Sequence, residues 1–193
     1  MSTEVNHTEI EDRMERLQNE YGDVPIEDKR WERSPQAFEE LLGSARDGYL
    51  GGAYAWVVRN QENAPSLTDS MPESASDDHP RVLMALGRGM NAWGLAGGGR
   101  EDGETFEETA IREVKEETNV RCSLTEPFLL RKATVISEGN HDQRIHLLYV
   151  FFDAEYRGGT VAIQGGELNG AAWFAEPPER MMPANELRAE DWF

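Results

Sequence analysis

Apolar residues recur along this chain with two different periods. Ile10, Met14 and Leu17 stand three or four apart in an otherwise polar stretch, which predicts an amphipathic helix over residues 1–22. A loop is expected after Pro25, running through Trp31. Ser34-Pro35 then opens a second helix, with serine as cap, proline in the first turn, and Phe38, Leu41 and Leu42 as the apolar stripe. Apolar runs bounded by turn residues predict strands at 51–59 (GGAYAWVVR) and 81–88 (RVLMALGR), followed by a short extended piece at 93–96. Between those two strands, residues 60–80 are rich in Ser, Asp, Glu, Asn and Pro and predict a long mobile excursion. Residues 128–136 and 145–156 read as strands of a hairpin or meander joined by 137–143. A short strand is expected at 161–164, a loop and last strand over 167–174, and a weak helix near 184–188.

The most informative stretch lies between the early and late strands. Gly97-Gly98-Gly99 forms a glycine loop, and Thr105 with Glu108 forms a capping box that starts a helix at Phe106, running to about Thr118. Ala110, Ile111, Val114 and Thr118 recur at helical spacing and are expected to face a core. On the other face, Glu113, Glu116 and Glu117 stand at i, i+3 and i+4, where like charges repel one another. A divalent cation relieves that repulsion, and hard carboxylate oxygens select Mg²⁺ or Mn²⁺. Arg112 lies beside them, four residues from both Glu108 and Glu116, and can orient a carboxylate. The competing reading is a solvated acidic face in an acid-rich chain. The glycine loop, the cap and the one-sided carboxylates together weigh against it.

Composition narrows the picture. The 193 residues suggest one domain with an extension. No run is long and apolar enough to span a membrane, and no signal peptide opens the chain, so a cytoplasmic location is expected. The single cysteine, Cys122, fits a reducing compartment and reads as a small buried or half-buried residue rather than a nucleophile. The formal net charge is −18, from 37 acidic and 19 basic residues, and lysine occurs only at Lys29, Lys115 and Lys132. Such a surface disfavours duplex nucleic acid, which needs a basic footprint. It resembles the surfaces of proteins from salt-accumulating halophiles. On that reading the melting temperature rises between low and molar KCl, as self-repulsion is screened. A melting temperature that stays flat or falls counts against halophilic adaptation.

The residues around the central helix carry a family resemblance. The Nudix box reads G-x5-E-x7-R-E-U-x-E-E-x-G-U, with U a bulky aliphatic residue. Gly98, Glu104, Arg112, Glu113, Val114, Glu116, Glu117 and Val120 match it in register. Asn119 stands where the pattern has its late glycine; Asn is the next best residue for a left-handed turn. Ala96 stands where many relatives have proline. The resemblance covers about residues 54–174. It implies an α+β fold, an α/β/α sandwich around a mixed β-sheet flanked by helices. The organisation expected from it is an N-terminal helical extension at 1–48 and a Nudix hydrolase domain at 49–193, with the box at 98–120. The extension can cover the catalytic domain, add a homodimer surface or contact substrate.

The resemblance also implies an activity: hydrolysis of the diphosphate linkage in a nucleoside diphosphate derivative, such as a nucleoside triphosphate, a nucleotide-sugar or an ADP-ribose-like compound. By the family pattern Glu116 and Glu117 are the main metal ligands and the Gly97 carbonyl adds a backbone ligand. Glu113 is a further ligand or the base, Arg112 orients the glutamates, and Glu104 supports the metal site or joins it. Relatives often take another acid from a late loop before a Trp-bearing strand, and Glu167, shortly before Trp173, fits that place; Glu138 and Asp142 are the alternatives. Arg88, Arg131 and Arg144 are candidates to meet phosphates, and Trp93 or Tyr54 to stack a base. His141 and His146 have no assigned part. The runner-up reading is a non-catalytic Nudix-like nucleotide-binding regulator. No P-loop, dinucleotide-fold glycine spacing or zinc-ligand set is present.

Overall fold

The computed structural model describes residues 3–60, 62, 79–163 and 165–192, with the side chains at 184 and 187 left out. Most of the excursion expected over residues 60–80 therefore lies outside the described residues. In chain order the elements are β1 (Thr3–Val5), α1 (His7–Tyr21), β2 (Ile26–Arg33), α2 (Pro35–Arg46), β3 (Gly51–Arg59) and β4 (Arg81–Gly87). They continue with β5 (Ala96–Gly99), α3 (Phe106–Thr118), β6 (Arg121–Ser137), β7 (Asn140–Gly158), β8 (Leu168–Phe174) and α4 (Pro183–Trp192). The strands hydrogen-bond in the order β2-β6-β7-β3-β4-β8, with β1 on β7 and β5 on β3. Parallel pairs (β1–β7, β2–β6) and antiparallel pairs (β3–β4, β4–β8) make the sheet mixed. The fold is α+β, a mixed sheet flanked by helices.

Two compact units share the chain. One comprises Met1–Ala53, Gly98–Thr109 and Glu126–Phe151; the other comprises Tyr54–Gly97, Ala110–Thr125 and Phe152–Phe193.

In the first unit, the stripe Ile10, Met14 and Leu17 of α1 is buried, as its spacing predicts. Ser34 caps α2 by accepting from the Ala37 N–H at 3.4 Å. Phe38, Leu42 and Ala45 of α2 pack on Ala133 and Val135 of β6 and on Ile145 and Leu147 of β7. Residues 26–31 are not the loop expected from the sequence. They belong to β2, which runs parallel to β6 from Ile26↔Leu130 to Arg33↔Ser137. Six of its eight residues are exposed, so backbone pairing holds this strand rather than burial, and no hydrophobic period announces it. Strands β6 and β7 are also longer than expected, and their turn is the tight one at Glu138-Gly139.

The second unit has its own core: Ala55 and Val57 of β3, Leu83 and Ala85 of β4, Ala96, Val114, Val120, Ala154, Tyr156 and Leu168. Helix α4 is longer than the weak helix expected. It sets Trp192 against Trp56, ring centroids 5.8 Å apart, and forks Arg188 onto Asp153 at 2.9 and 3.0 Å. The strand expected at 161–164 is not formed over 161–163, and 164 lies outside the described residues. The Ala162 N–H instead satisfies the Thr118 carbonyl at the end of α3, at 2.9 Å. Cys122 is half-buried, and burial pushes its thiol up to about 11, which leaves it a packing residue.

Candidate active site

The site is built on α3, and its start is local chemistry. Thr105 Oγ1 accepts from the Glu108 N–H at 3.2 Å while Glu108 accepts from the Thr105 N–H at 2.8 Å, the reciprocal capping box the sequence predicts. Upstream, Gly52 lets β5 approach closely, because a Cβ there would run into the Gly98 carbonyl. Arg100 is buried and ties the loop after β5 with backbone acceptors, giving bonds to the carbonyls of Glu101 (2.7 Å), Glu104 (2.9 Å) and Gly48 (3.2 Å). Glu104 accepts from Thr109 Oγ1 at 2.9 Å and from the Glu101 N–H at 3.1 Å, which makes it a brace of this loop. Arg16 grips Glu107, in the first turn of α3, with two bonds of 2.9 Å.

Helix α3 buries Phe106, Ala110, Val114 and Thr118, a four-residue row. Ile111 is not on it. It is 43 % exposed, because one residue's rotation from Ala110 carries it off the buried stripe. The helix ends at Asn119, whose φ of 60° places it in the left-handed region where the box pattern has glycine. The turn is thus made with asparagine. Asn119 Nδ2 donates to the Thr160 carbonyl at 3.0 Å, and Lys115 Nζ reaches the Asn119 side chain. Asn119→Ala is expected to cost about 2 kcal/mol, from the left-handed backbone and the lost hydrogen bond, and Asn119→Gly under about 1 kcal/mol. Urea unfolding of the two variants checks this. Equal losses would put the cost in the bond to Thr160 rather than in the backbone.

The carboxylates come next. Glu117 is buried, 9 % exposed, and accepts from the Gly97 N–H at 2.9 Å. Burial pushes its carboxyl up to about 7, against the Gly97 bond, with the negative charges of Glu113 and Glu167 adding to the rise. Glu113 is also raised, by burial first; the Arg112 hydrogen bond and charge oppose this, and Glu116 and Glu167 add to it. Arg112 Nη1 donates to Glu113 at 2.9 Å and to Glu116 at 3.0 Å, so one guanidinium sets the direction of two glutamates. Glu116 is more than half exposed. Glu167 is exposed on the turn before β8. Its carbonyl accepts from the Arg88 N–H at 2.7 Å, and Arg88 Nη1 gives the Gly166 carbonyl a bond of 3.4 Å. Gly166, at φ 121°, makes that turn in a conformation few other residues adopt.

The second unit therefore carries Gly97, Arg112, Glu113, Glu116, Glu117 and Glu167 together with Arg88 and Trp93. Tyr54 also lies in the second unit, and the other candidates belong to the first. There Arg131 Nε pairs with Glu27 at 2.5 Å and lies over the Phe151 ring, and Arg144 pairs with Glu4 at 3.4 Å. Glu138 is exposed on the β6–β7 turn and Asp142 near the start of β7. His141 faces Glu32 at 3.4 Å. His146 is buried between Glu4 and Thr134, which accounts for it structurally. The contact sequence reasoning missed is the Gly97 N–H to Glu117. The motif proposes a part for the Gly97 carbonyl, and only the fold shows where its N–H points.

As donors, the carboxylates of this face are hard oxygens, two of them held by Arg112, a set whose chemistry fits Mg²⁺ or Mn²⁺. Among the described residues no group of three His, Cys, Asp or Glu side chains is gathered closely enough to hold a metal ion as it stands.

A NUDIX domain family model matches residues 75–191. The chain belongs to the Nudix family. Its enzyme class is accordingly that of the Nudix-type pyrophosphohydrolases. It is 32 % identical over 110 residues to the nucleoside triphosphatase NudI of Enterobacter sp. (strain 638), a match covering 53 % of this chain and 77 % of that protein. It is 34 % identical over 103 residues to a protein carrying the name mutator protein MutT4 in Mycobacterium tuberculosis (strain CDC 1551 / Oshkosh); that match covers 52 % of this chain and 40 % of the relative. Among solved structures, a MutT Nudix hydrolase from Burkholderia pseudomallei aligns with a TM-score of 0.47 at 20 % identity, covering 73 % of this chain and 95 % of its own. No helix among the described residues is long and apolar enough to cross a membrane.

Proposed function

We propose that this Nudix protein hydrolyses the diphosphate linkage of a nucleoside diphosphate derivative, using Mg²⁺ or Mn²⁺ held by Glu113, Glu116 and Glu117 with Glu167 and the Gly97 carbonyl. The observation that carries this reading is Glu117. It is a buried carboxylate fixed by a backbone N–H, and its proton affinity is raised partly by Glu113 and Glu167. Such an arrangement is unfavourable alone and becomes favourable beside a cation. When bound, the cation neutralises phosphate charge and makes water a better nucleophile.

The rest is the work of the chain. Arg112 keeps Glu113 and Glu116 oriented through bonds of 2.9 and 3.0 Å. Gly97 keeps Glu117 facing the same side as Glu113, four residues earlier on α3. Glu167 stands outside the helix, where it can take a proton from the attacking water or serve as a further ligand. The oxygen of water bonds to one phosphorus, the bridging P–O bond breaks, and its electron pair leaves on the bridging oxygen. Arg88, exposed beside Glu167, offers a cation to the phosphates.

A panel of nucleoside triphosphates, nucleotide-sugars and ADP-ribose tests the reading, with Mg²⁺ and Mn²⁺ at low and high salt and with readout of released phosphate, pyrophosphate and nucleoside monophosphate. The expected result is turnover of at least one of them that chelation abolishes and divalent metal restores. Turnover of none, in a folded protein, overturns the proposal. The NudI relative named as a nucleoside triphosphatase makes triphosphates the first compounds to try.

A further inference from the structure

The second unit holds a cleft that the chemistry above does not use. Leu86, Asn91, Trp93, Glu179 and Arg180 line a space of about 250 Å³. Its floor is rigid. The Trp93 N–H donates to the Arg180 carbonyl at 2.9 Å, and the Met182 N–H donates to the Trp93 carbonyl at 2.8 Å, so the backbone on both sides of the cleft is clamped together. The Trp93 indole is packed as well: Phe174 meets it at 4.9 Å in an edge contact, and its ring lies beside Gly170. A pre-set aromatic ring loses little entropy when a planar ligand stacks on it.

The lining is mixed in a specific way. Trp93 and Leu86 are apolar walls. Asn91, Glu179 and Arg180 are exposed polar side chains at the rim. Asn91 brings both a donor and an acceptor, Glu179 an acceptor and Arg180 donors. A flat ring with a hydrogen-bonding edge and a hydroxylated sugar satisfies all of them, whereas a bare polyphosphate would meet Glu179 unfavourably and leave the indole uncovered.

The cleft also sits on the strand that leads to the carboxylates. Leu86 is in β4, and Arg88, just past the end of that strand, gives its N–H to the Glu167 carbonyl. Arg88 thus ties the end of the cleft's strand to the turn that carries Glu167.

We infer that the Leu86, Asn91, Trp93, Glu179 and Arg180 cleft binds the nucleoside moiety of the substrate, with the base against Trp93 and its polar edge and sugar read by Asn91 and Glu179. The inference rests on the proposed nucleotide chemistry and adds where the nucleoside goes.

The test uses the full chain and binding rather than turnover. Nucleoside 5′-monophosphates and inorganic pyrophosphate are titrated calorimetrically into the parent, Trp93→Leu and Asn91→Ala. Trp93→Leu is expected to weaken nucleoside monophosphate binding about tenfold or more, and Asn91→Ala by about threefold to tenfold, with pyrophosphate affinity unchanged. Asn91 is exposed, so its variant remains informative even if Trp93→Leu unfolds. Monophosphate affinities within about twofold of the parent in Asn91→Ala and in folded Trp93→Leu overturn the cleft assignment. So does equal weakening of pyrophosphate, which would mean a general disturbance. The two readings fail separately: a parent that hydrolyses nucleotides but binds them independently of Asn91 and Trp93 keeps the function and loses the cleft. A parent that hydrolyses none of them but binds monophosphates through Trp93 keeps the cleft and loses the function.

Discussion

Glu117→Gln is expected to lower turnover by about two or more orders of magnitude while raising the melting temperature of the cation-free protein near and above neutral pH. Both effects come from one carboxylate. Glutamine keeps an oxygen for the Gly97 N–H and keeps the volume, so the 2.9 Å bond and the packing survive. What disappears is a buried negative charge. The folded-state carboxyl is raised to about 7 from an ordinary 4.5, so the folded protein binds this proton more tightly than the unfolded chain. The parent therefore loses stability as pH rises from about 4.5 through about 7, by about 3 kcal/mol in all, and the loss is complete above that range. Glu117→Gln has no such loss. Melting curves across pH 5 to 8 should show the two proteins diverging as pH rises, and added Mg²⁺ at constant ionic strength should raise the parent more than the variant. A variant that retains near-normal turnover, or that is less stable than the parent at every pH, removes Glu117 from the assignment. Glu116→Gln should also lose turnover.

Glu167→Gln is expected to reduce kcat by about a hundredfold, with little change in stability, while Glu138→Gln and Asp142→Asn stay within about twofold of the parent. The sequence offers three candidates for the late-loop acid, Glu167, Glu138 and Asp142, and we propose Glu167. Glu167 adds its charge to the shifts of both Glu113 and Glu117. Glu138 is exposed on the β6–β7 turn and gives its N–H to the Arg33 carbonyl, and Asp142, exposed near the start of β7, gives its own to Asn140. Glu167 is itself exposed and its carboxylate is not needed to hold the turn, which its carbonyl secures through Arg88. Steady-state kinetics on the three variants at saturating Mg²⁺ decides the matter. A silent Glu167 beside a sensitive Glu138 or Asp142 moves the acid to the other turn and leaves the α3 glutamates where they are.

Much of the site is legible in the sequence because its determinants are close together along the chain. The capping box joins Thr105 and Glu108, three residues apart, and helix geometry alone puts Glu113 and Glu117 on one face with Arg112 within reach of Glu116. The left-handed turn at Asn119 follows from the tolerance of asparagine for that conformation. Helix α1 and strands β3, β4 and β8 follow from periods or apolar runs that a single segment displays.

What the tertiary structure decided depends on partners far away in sequence. Strand β2 is a charged, mostly exposed segment whose backbone is satisfied by β6, about a hundred residues later, so nothing within it predicts the pairing. Val161–Ile163 shows the reverse: an apolar run reads as a strand, yet the Ala162 N–H goes to the open end of α3. Only the fold pairs Arg131 with Glu27 and Arg144 with Glu4, acids from the distant N-terminal segment. The elevation of Glu117 depends on burial and on Glu167, fifty residues on, and neither is a property of the box. Sequence by itself singled out the side chains proposed to carry the chemistry, because helical spacing and capping are short-range. The fold alone decided which of them share an environment, because burial and Coulomb interactions act through space between segments that the chain keeps apart.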